Sequence, residues 1–95
     1  MIPKHRTATS PGEILQEEFL VPLGITQTAL AKHIGVTVRR INEIVRGKRS
    51  ITPETAQLLS AALSTSAEFW MNAQTNYDLS THRIHARVKS LVEIG

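Results

Sequence analysis

Ninety-five residues with no cysteine are enough for one small core, and they exclude a disulfide framework and a thiolate metal site. No apolar run approaches the ~20 residues of a membrane span. Met1-Ile-Pro-Lys-His-Arg6 is basic but leads into no hydrophobic segment, so it is not read as a secretory signal and the expected compartment is the cytoplasm. The net charge of +3 is unevenly spread: residues 26–50 hold six cations (Lys32, Arg39, Arg40, Arg46, Lys48, Arg49) against Glu43, whereas the rest of the chain has more acids than bases. A compact basic patch on a mildly acidic body is the footprint of a phosphate-backbone reader.

Residues 1–9 lack apolar periodicity and are expected to form a flexible arm before a domain over residues 10–79. Ser10-Pro-Gly-Glu13 is a capping box opening a first helix that carries Ile14, Leu15 and Phe19 inward, with Pro22 and Gly24 as its stop. A second helix, capped by Thr26, buries Leu30, Ala31 and Ile34 and ends at Gly35, a left-handed turn position plugged by Val36. A third, capped by Thr37, runs from Val38 to about Arg46. It buries Ile41, Ile44 and Val45, turns Arg39, Asn42 and Glu43 outward, and stops at Gly47. Thr52-Pro53-Glu54 starts a fourth helix reaching Leu63, with Ala56, Leu59, Ala62 and Leu63 on the core face. Thr65-Ser-Ala-Glu68 reads as the capping box of a fifth, carrying Phe69, Trp70, Ala73 and Tyr77. Residues 80–95 repeat Ile84, Val88 and Leu91 at helical spacing, which predicts a helical extension that docks on its own domain, a second copy or another protein. The fold class is all-α.

Helices two and three, joined by a short glycine turn, form a helix-turn-helix. Capping by Thr37 puts Arg39 and Arg40 in the first turn, where each positive charge opposes the helix dipole at a cost of roughly 0.3–1 kcal/mol when exposed. The starts at Ser10, Thr52 and Thr65 carry acid there, so the missing negative charge points to a partner, and double-stranded DNA is the partner it fits. The second helix of such a unit lies in the major groove with its N-terminal residues at base edges. Val38, Arg39 and Asn42 are therefore the base-reading candidates, with Arg40 able to reach a base or a phosphate. Gln27 and Thr37 are placed for phosphate, and Arg46, Lys48 and Arg49 read as backbone clamps. Trp70 and Tyr77, with Ile84, Val88 and Leu91 of the tail, are candidate dimer or partner contacts, because one such unit meets only a few base pairs and two half-sites are the ordinary route to useful affinity.

An enzyme is the first rival reading. His82 and His85 could share a helix face, but no third ligand stands at a recognisable spacing, and no phosphate loop or nucleophile constellation is present. No catalytic residue, metal or cofactor is expected. A protein-binding adaptor without DNA contacts is disfavoured by Gln27, Arg39, Arg40 and Asn42.

Three blocks carry a resemblance beyond the generic motif. They are Ser10-Pro-Gly-Glu-Ile-Leu-Gln-Glu-Glu-Phe-Leu-Val-Pro-Leu-Gly-Ile-Thr-Gln27, Gly47-Lys-Arg-Ser-Ile-Thr-Pro-Glu-Thr-Ala56 and Ala67-Glu-Phe-Trp-Met-Asn-Ala-Gln-Thr-Asn-Tyr-Asp-Leu79. Together they resemble the HigA-type antitoxins, Xre-like helix-turn-helix proteins of bacterial toxin–antitoxin modules. The resemblance implies a homodimer on a palindromic operator in its own promoter. It also implies a toxin partner, HigB, a RelE-like ribonuclease that cleaves mRNA and that the antitoxin neutralises. A stand-alone Xre-type regulator without a toxin is the alternative. The family's usual glycine between the fourth and fifth helices is Ser64 here, which predicts a differently built turn, and the tail beyond Leu79 lies outside the shared blocks.

Overall fold

The computed structural model describes residues 8–92, which contain five helices and no strand. Helix α1 covers residues 11–23. It starts where the Ser10 hydroxyl accepts from the Glu13 N–H at 3.2 Å, with Pro11 supplying a pre-set backbone angle in the first turn. Its middle, Leu15–Leu20, is wound more widely, with the Val21 N–H reaching the Gln16 carbonyl five residues back. Pro22 therefore does not end the helix as expected but sits in its last turn, Val21–Leu23. Proline lacks an N–H and its ring presses on the preceding turn, and the wider winding just before it takes up that misfit. Gly24, at φ 67°, ends the helix.

Helix α2 (Gln27–Ile34) and helix α3 (Val38–Val45) follow, each behind a threonine cap. Thr26 accepts from the Ala29 N–H at 3.0 Å and Thr37 from the Arg40 N–H at 3.1 Å. Between them Gly35 takes φ 80°, which reverses the chain without the strain a side chain would incur. Val36 packs into the turn against the core. Helix α4 (Pro53–Leu63) begins at the Thr52 cap, and helix α5 (Ala67–Thr81) closes the domain.

The cap of α5 is Ser66, not Thr65: its hydroxyl accepts from the Phe69 N–H at 3.0 Å. Thr65 has another task, accepting the Trp70 indole N–H at 2.7 Å. Ser64 corrects a second expectation, because it adopts the left-handed conformation a glycine would, at φ 56° and ψ 42°. The turn keeps its geometry and carries the strain instead.

The core is formed by Leu15 and Leu20 from α1, Leu30 and Ala31 from α2, Ile41 and Ile44 from α3, Ile51, Ala56 and Leu59, and Trp70. Trp70 is completely buried and stacks edge-on to Phe69 at 5.0 Å and tilted to Phe19 at 5.4 Å. A side chain sealed in its own domain cannot meet a second one, so Trp70 is removed from the candidate dimer contacts. Leu20, Ile51 and the buried Thr55 are core positions that helical spacing did not single out. One close approach fixes how α1 meets α3. A Cβ added to Gly12 would lie 1.8 Å from the Ile44 carbonyl oxygen, so only glycine lets the two backbones touch.

Beyond Thr81 the expected helical extension is absent: residues 82–92 form no helix and every one is exposed. The five helices already cover the core, so Ile84, Val88 and Leu91 find no apolar surface within the domain. A lone helix of about this length is unstable in water without one. Most of the expected N-terminal arm, residues 1–7, lies outside the described residues. Ala8, just after them, donates its N–H to the Ser80 hydroxyl at 3.1 Å.

Candidate nucleic-acid interface

Helix α3 is held by its apolar residues and presents the rest. Ile41 and Ile44 are buried, which fixes the helix roll and turns the first-turn residues Val38 and Arg39 outward. Val38 is 43% exposed and the Arg39 side chain 87%. The two stand side by side at the N-terminal end of the helix, an apolar methyl pair next to a planar guanidinium. This combination can meet a thymine methyl and bridge guanine O6 and N7.

Asn42, one turn further on, is not free. Its side-chain amide donates to the Gln27 amide oxygen at 3.2 Å, tying the first residue of α2 to the middle of α3. Gln27 and Asn42, read from sequence as a phosphate contact and a base contact, are thus a single coupled pair. With one Asn42 N–H engaged, its remaining N–H and its oxygen stay available to a base edge.

Arg40 departs from its sequence assignment. Its guanidinium turns back toward the start of α4, where it donates to the Thr55 hydroxyl at 2.6 Å and pairs with Glu54 at 3.3 Å. The negative charge missing beside Arg40 is therefore supplied inside the protein, and the side chain braces α3 against α4 rather than facing outward with Val38 and Arg39.

Glu43 is the acid at the centre of the basic patch. Its Oε1 accepts from Arg49 Nε at 3.1 Å and from a terminal nitrogen of the same guanidinium at 3.0 Å, while Oε2 lies 3.6 Å from Arg39 Nε. The hydrogen bonds from Arg49 do most to hold the Glu43 carboxyl below the usual carboxylate range, helped by the charges of Arg49 and Arg39 and opposed by partial desolvation. Glu43 therefore stays ionised and orients two arginines. An acid on this face can turn away from phosphate or steer a neighbouring arginine, and Glu43 does the latter twice.

The loop after α3 carries the remaining cations. Gly47 and Lys48 fold back on α3, the Lys48 N–H donating to the Glu43 carbonyl at 2.8 Å. Arg46, Lys48 and Arg49 are all exposed. Gln74 of α5 pins the far end of this loop and was not found from sequence. It is buried, accepts from the Ile51 N–H at 2.7 Å, and donates to Asp78 at 2.9 Å. A glutamine on a helix face rich in small and polar residues gives no periodic signal; only the fold shows that it satisfies an otherwise orphaned buried amide. Tyr77 is half-buried, and Ile84, Val88 and Leu91 stand in the exposed tail.

Fold and site together define a class, a helix-turn-helix domain with an outward, cationic second helix. The helix-turn-helix family profile matches residues 16–70. Virulence-associated protein I of Dichelobacter nodosus is 51% identical over 72 residues, covering 76% of this chain and 67% of the relative. Antitoxin HigA-1 of Vibrio cholerae is 42% identical over 74 residues, 78% of this chain and 70% of the relative. The solved structure of the Pseudomonas aeruginosa antitoxin HigA with the higBA promoter is similar at a TM-score of 0.75 and 44% identity, covering 77% of this chain and 79% of that one. The chain belongs to the Xre-type helix-turn-helix family, among whose members are the HigA antitoxins.

Proposed function

We propose that this protein is a sequence-specific DNA-binding autorepressor and the antitoxin of a toxin–antitoxin module. It binds an operator in its own promoter as a homodimer and neutralises a HigB-like, RelE-type mRNA-cleaving toxin. The observation that carries the DNA reading is the outer end of α3. Arg39 is 87% exposed in the first turn of a helix with no acid there, so its guanidinium, tethered by Glu43 at 3.6 Å, stands open to a polyanion. Val38, Arg39 and Asn42 read bases in this account. Gln27, Thr37, Arg46, Lys48 and Arg49 hold phosphates, and Arg40 acts from behind as a brace. The HigA relative solved with promoter DNA supports this reading, and the name of the HigA-1 relative supports the antitoxin role.

The test is a salt titration of the purified protein with the DNA upstream of its own gene and with random DNA. Preferential, two-step binding to the upstream fragment is expected. Equal and equally salt-sensitive binding to both would reduce the reading to a basic patch. Copurification with the product of a neighbouring RelE-like gene, and relief of that protein's ribonuclease activity, tests the antitoxin half. Failure there with operator binding intact would leave a stand-alone regulator.

A further inference from the structure

We infer that residues 82–92 form a second DNA-contacting element, a basic arm that leaves the domain beside the recognition helix and follows the flanking phosphate backbone. The inference rests on the DNA-binding reading above. Its first support is position. His82, where α5 ends, and Thr81 share the walls of one cleft of about 260 Å³ with Gly47, Lys48, Arg49 and Ser50, the loop that follows α3. The tail therefore begins on the side of the molecule that carries the backbone clamps. Asp78 in the same lining is engaged by Gln74, and His82 folds its ring back onto the Asp78 carbonyl at 2.9 Å, which fixes the point of departure.

The second support is charge. From Leu79 through Val92 the chain has no acid, and it carries Arg83, Arg87 and Lys89 with His82 and His85. Among the described residues the ion pairs are Arg39–Glu43, Arg40–Glu54 and Arg49–Glu43, none of which involves the tail. Its cations thus have no counter-charge assigned within the described domain, in contrast to three of those on the α3 side.

The third support is pattern. Arg83, His85, Arg87 and Lys89 alternate with Ile84, Ala86 and Val88. Drawn out along a surface, such a segment puts Arg83, Arg87 and Lys89 on one edge at intervals of about 13 and 6.6 Å, with His85 between the first two, near four and two times the roughly 3.4 Å axial spacing of phosphates along one DNA strand. The eleven residues can span up to about 36 Å when extended, about one turn of duplex. The other edge, with Ile84 and Val88 at 79% and 78% exposed, stays open to a second subunit.

Arg83→Gln, Arg87→Gln and Lys89→Gln combined in the full chain test the inference, with the thermal melt showing that the domain is intact. Affinity for the upstream fragment and for random DNA should fall together, by roughly tenfold or more at physiological salt, and the salt slope should drop by about 0.9 for each phosphate that is no longer neutralised. Backbone protection by hydroxyl-radical footprinting should shrink at the flanks and persist at the centre. An unchanged slope and footprint would overturn the arm while leaving α3's role standing. So would unchanged DNA binding with a loss of dimer, which would assign the tail to a protein interface. A wild-type protein that binds neither fragment would overturn the underlying reading and the arm with it.

Discussion

Glu43 stands among the cations of α3 without cancelling them, because both carboxylate oxygens are directed at arginines the DNA reading uses. Exposed ion pairs contribute little to stability, so the consequence lies in orientation. Glu43→Gln should leave the thermal melt nearly unchanged and raise affinity for random DNA by removing a negative charge. It should lower the operator-to-random ratio, since Arg39 is no longer held; a ratio unchanged or raised in a fluorescence-anisotropy titration would show that the tether has no part in recognition. The pH dependence follows from the same carboxyl. Its pKa is depressed by Arg49 first, so the tether is complete above the ordinary carboxylate range and is lost only as pH falls through the lowered value. The difference in specificity between wild type and Glu43→Gln should therefore be constant from about pH 5 to 8 and close only in acid. A difference that closes near neutrality would contradict the assignment.

At the scale of elements, two backbone positions decide how the helices meet. Gly12→Ala sets a methyl group against the Ile44 carbonyl, which neither backbone can avoid without moving α1 off α3. The expected loss is about 3 kcal/mol or more, read as a fall in the denaturant midpoint, and a loss under about 1 kcal/mol would mean that the two backbones meet loosely. Ser64→Gly should act oppositely. It relieves a left-handed non-glycine residue at φ 56° and should stabilise by about 1 kcal/mol; destabilisation would show that the serine side chain contributes something the backbone argument omits. The starts of α1 through α4 were legible because Ser10, Thr26, Thr37 and Thr52 each have the residue type and spacing a cap requires. The start of α5 was misplaced by one residue because Thr65, three residues before Glu68, has the spacing of a capping box, which Ser66 lacks. The Trp70 indole, which claims the Thr65 hydroxyl, leaves the cap to Ser66. The tail was misread because helical and alternating patterns share Ile84 and Val88, and no sequence states whether a surface waits for them. Within the site, exposure of Val38 and Arg39 followed from the period of α3. The Arg40–Glu54 and Asn42–Gln27 pairings join residues far apart in the chain and had no local signal.

For the whole molecule, a single domain presents one short outward helix that can meet only a few base pairs, so one copy is expected to bind weakly. A two-fold pair placing two α3 helices about 34 Å apart would read a palindrome one turn long, with the basic arms reaching outward from each half. Symmetric insertion of about five base pairs between half-sites should abolish cooperative binding, whereas insertion of a full turn should restore much of it. Equal binding to all three spacings would indicate that each domain acts alone.

Comparing Arg39→Ala with Arg46→Ala on operator and random DNA decides whether the exposed end of α3 reads bases while the loop behind it grips phosphates. Arg39→Ala should lose about 1–3 kcal/mol on the operator, with relaxed preference at one base position and little change on random DNA. Arg46→Ala should weaken both by the same factor and lower the salt slope by about one unit. Equal losses on both DNAs for Arg39→Ala would contradict the account, because Arg39 would then be one more phosphate contact and specificity would have to come from elsewhere.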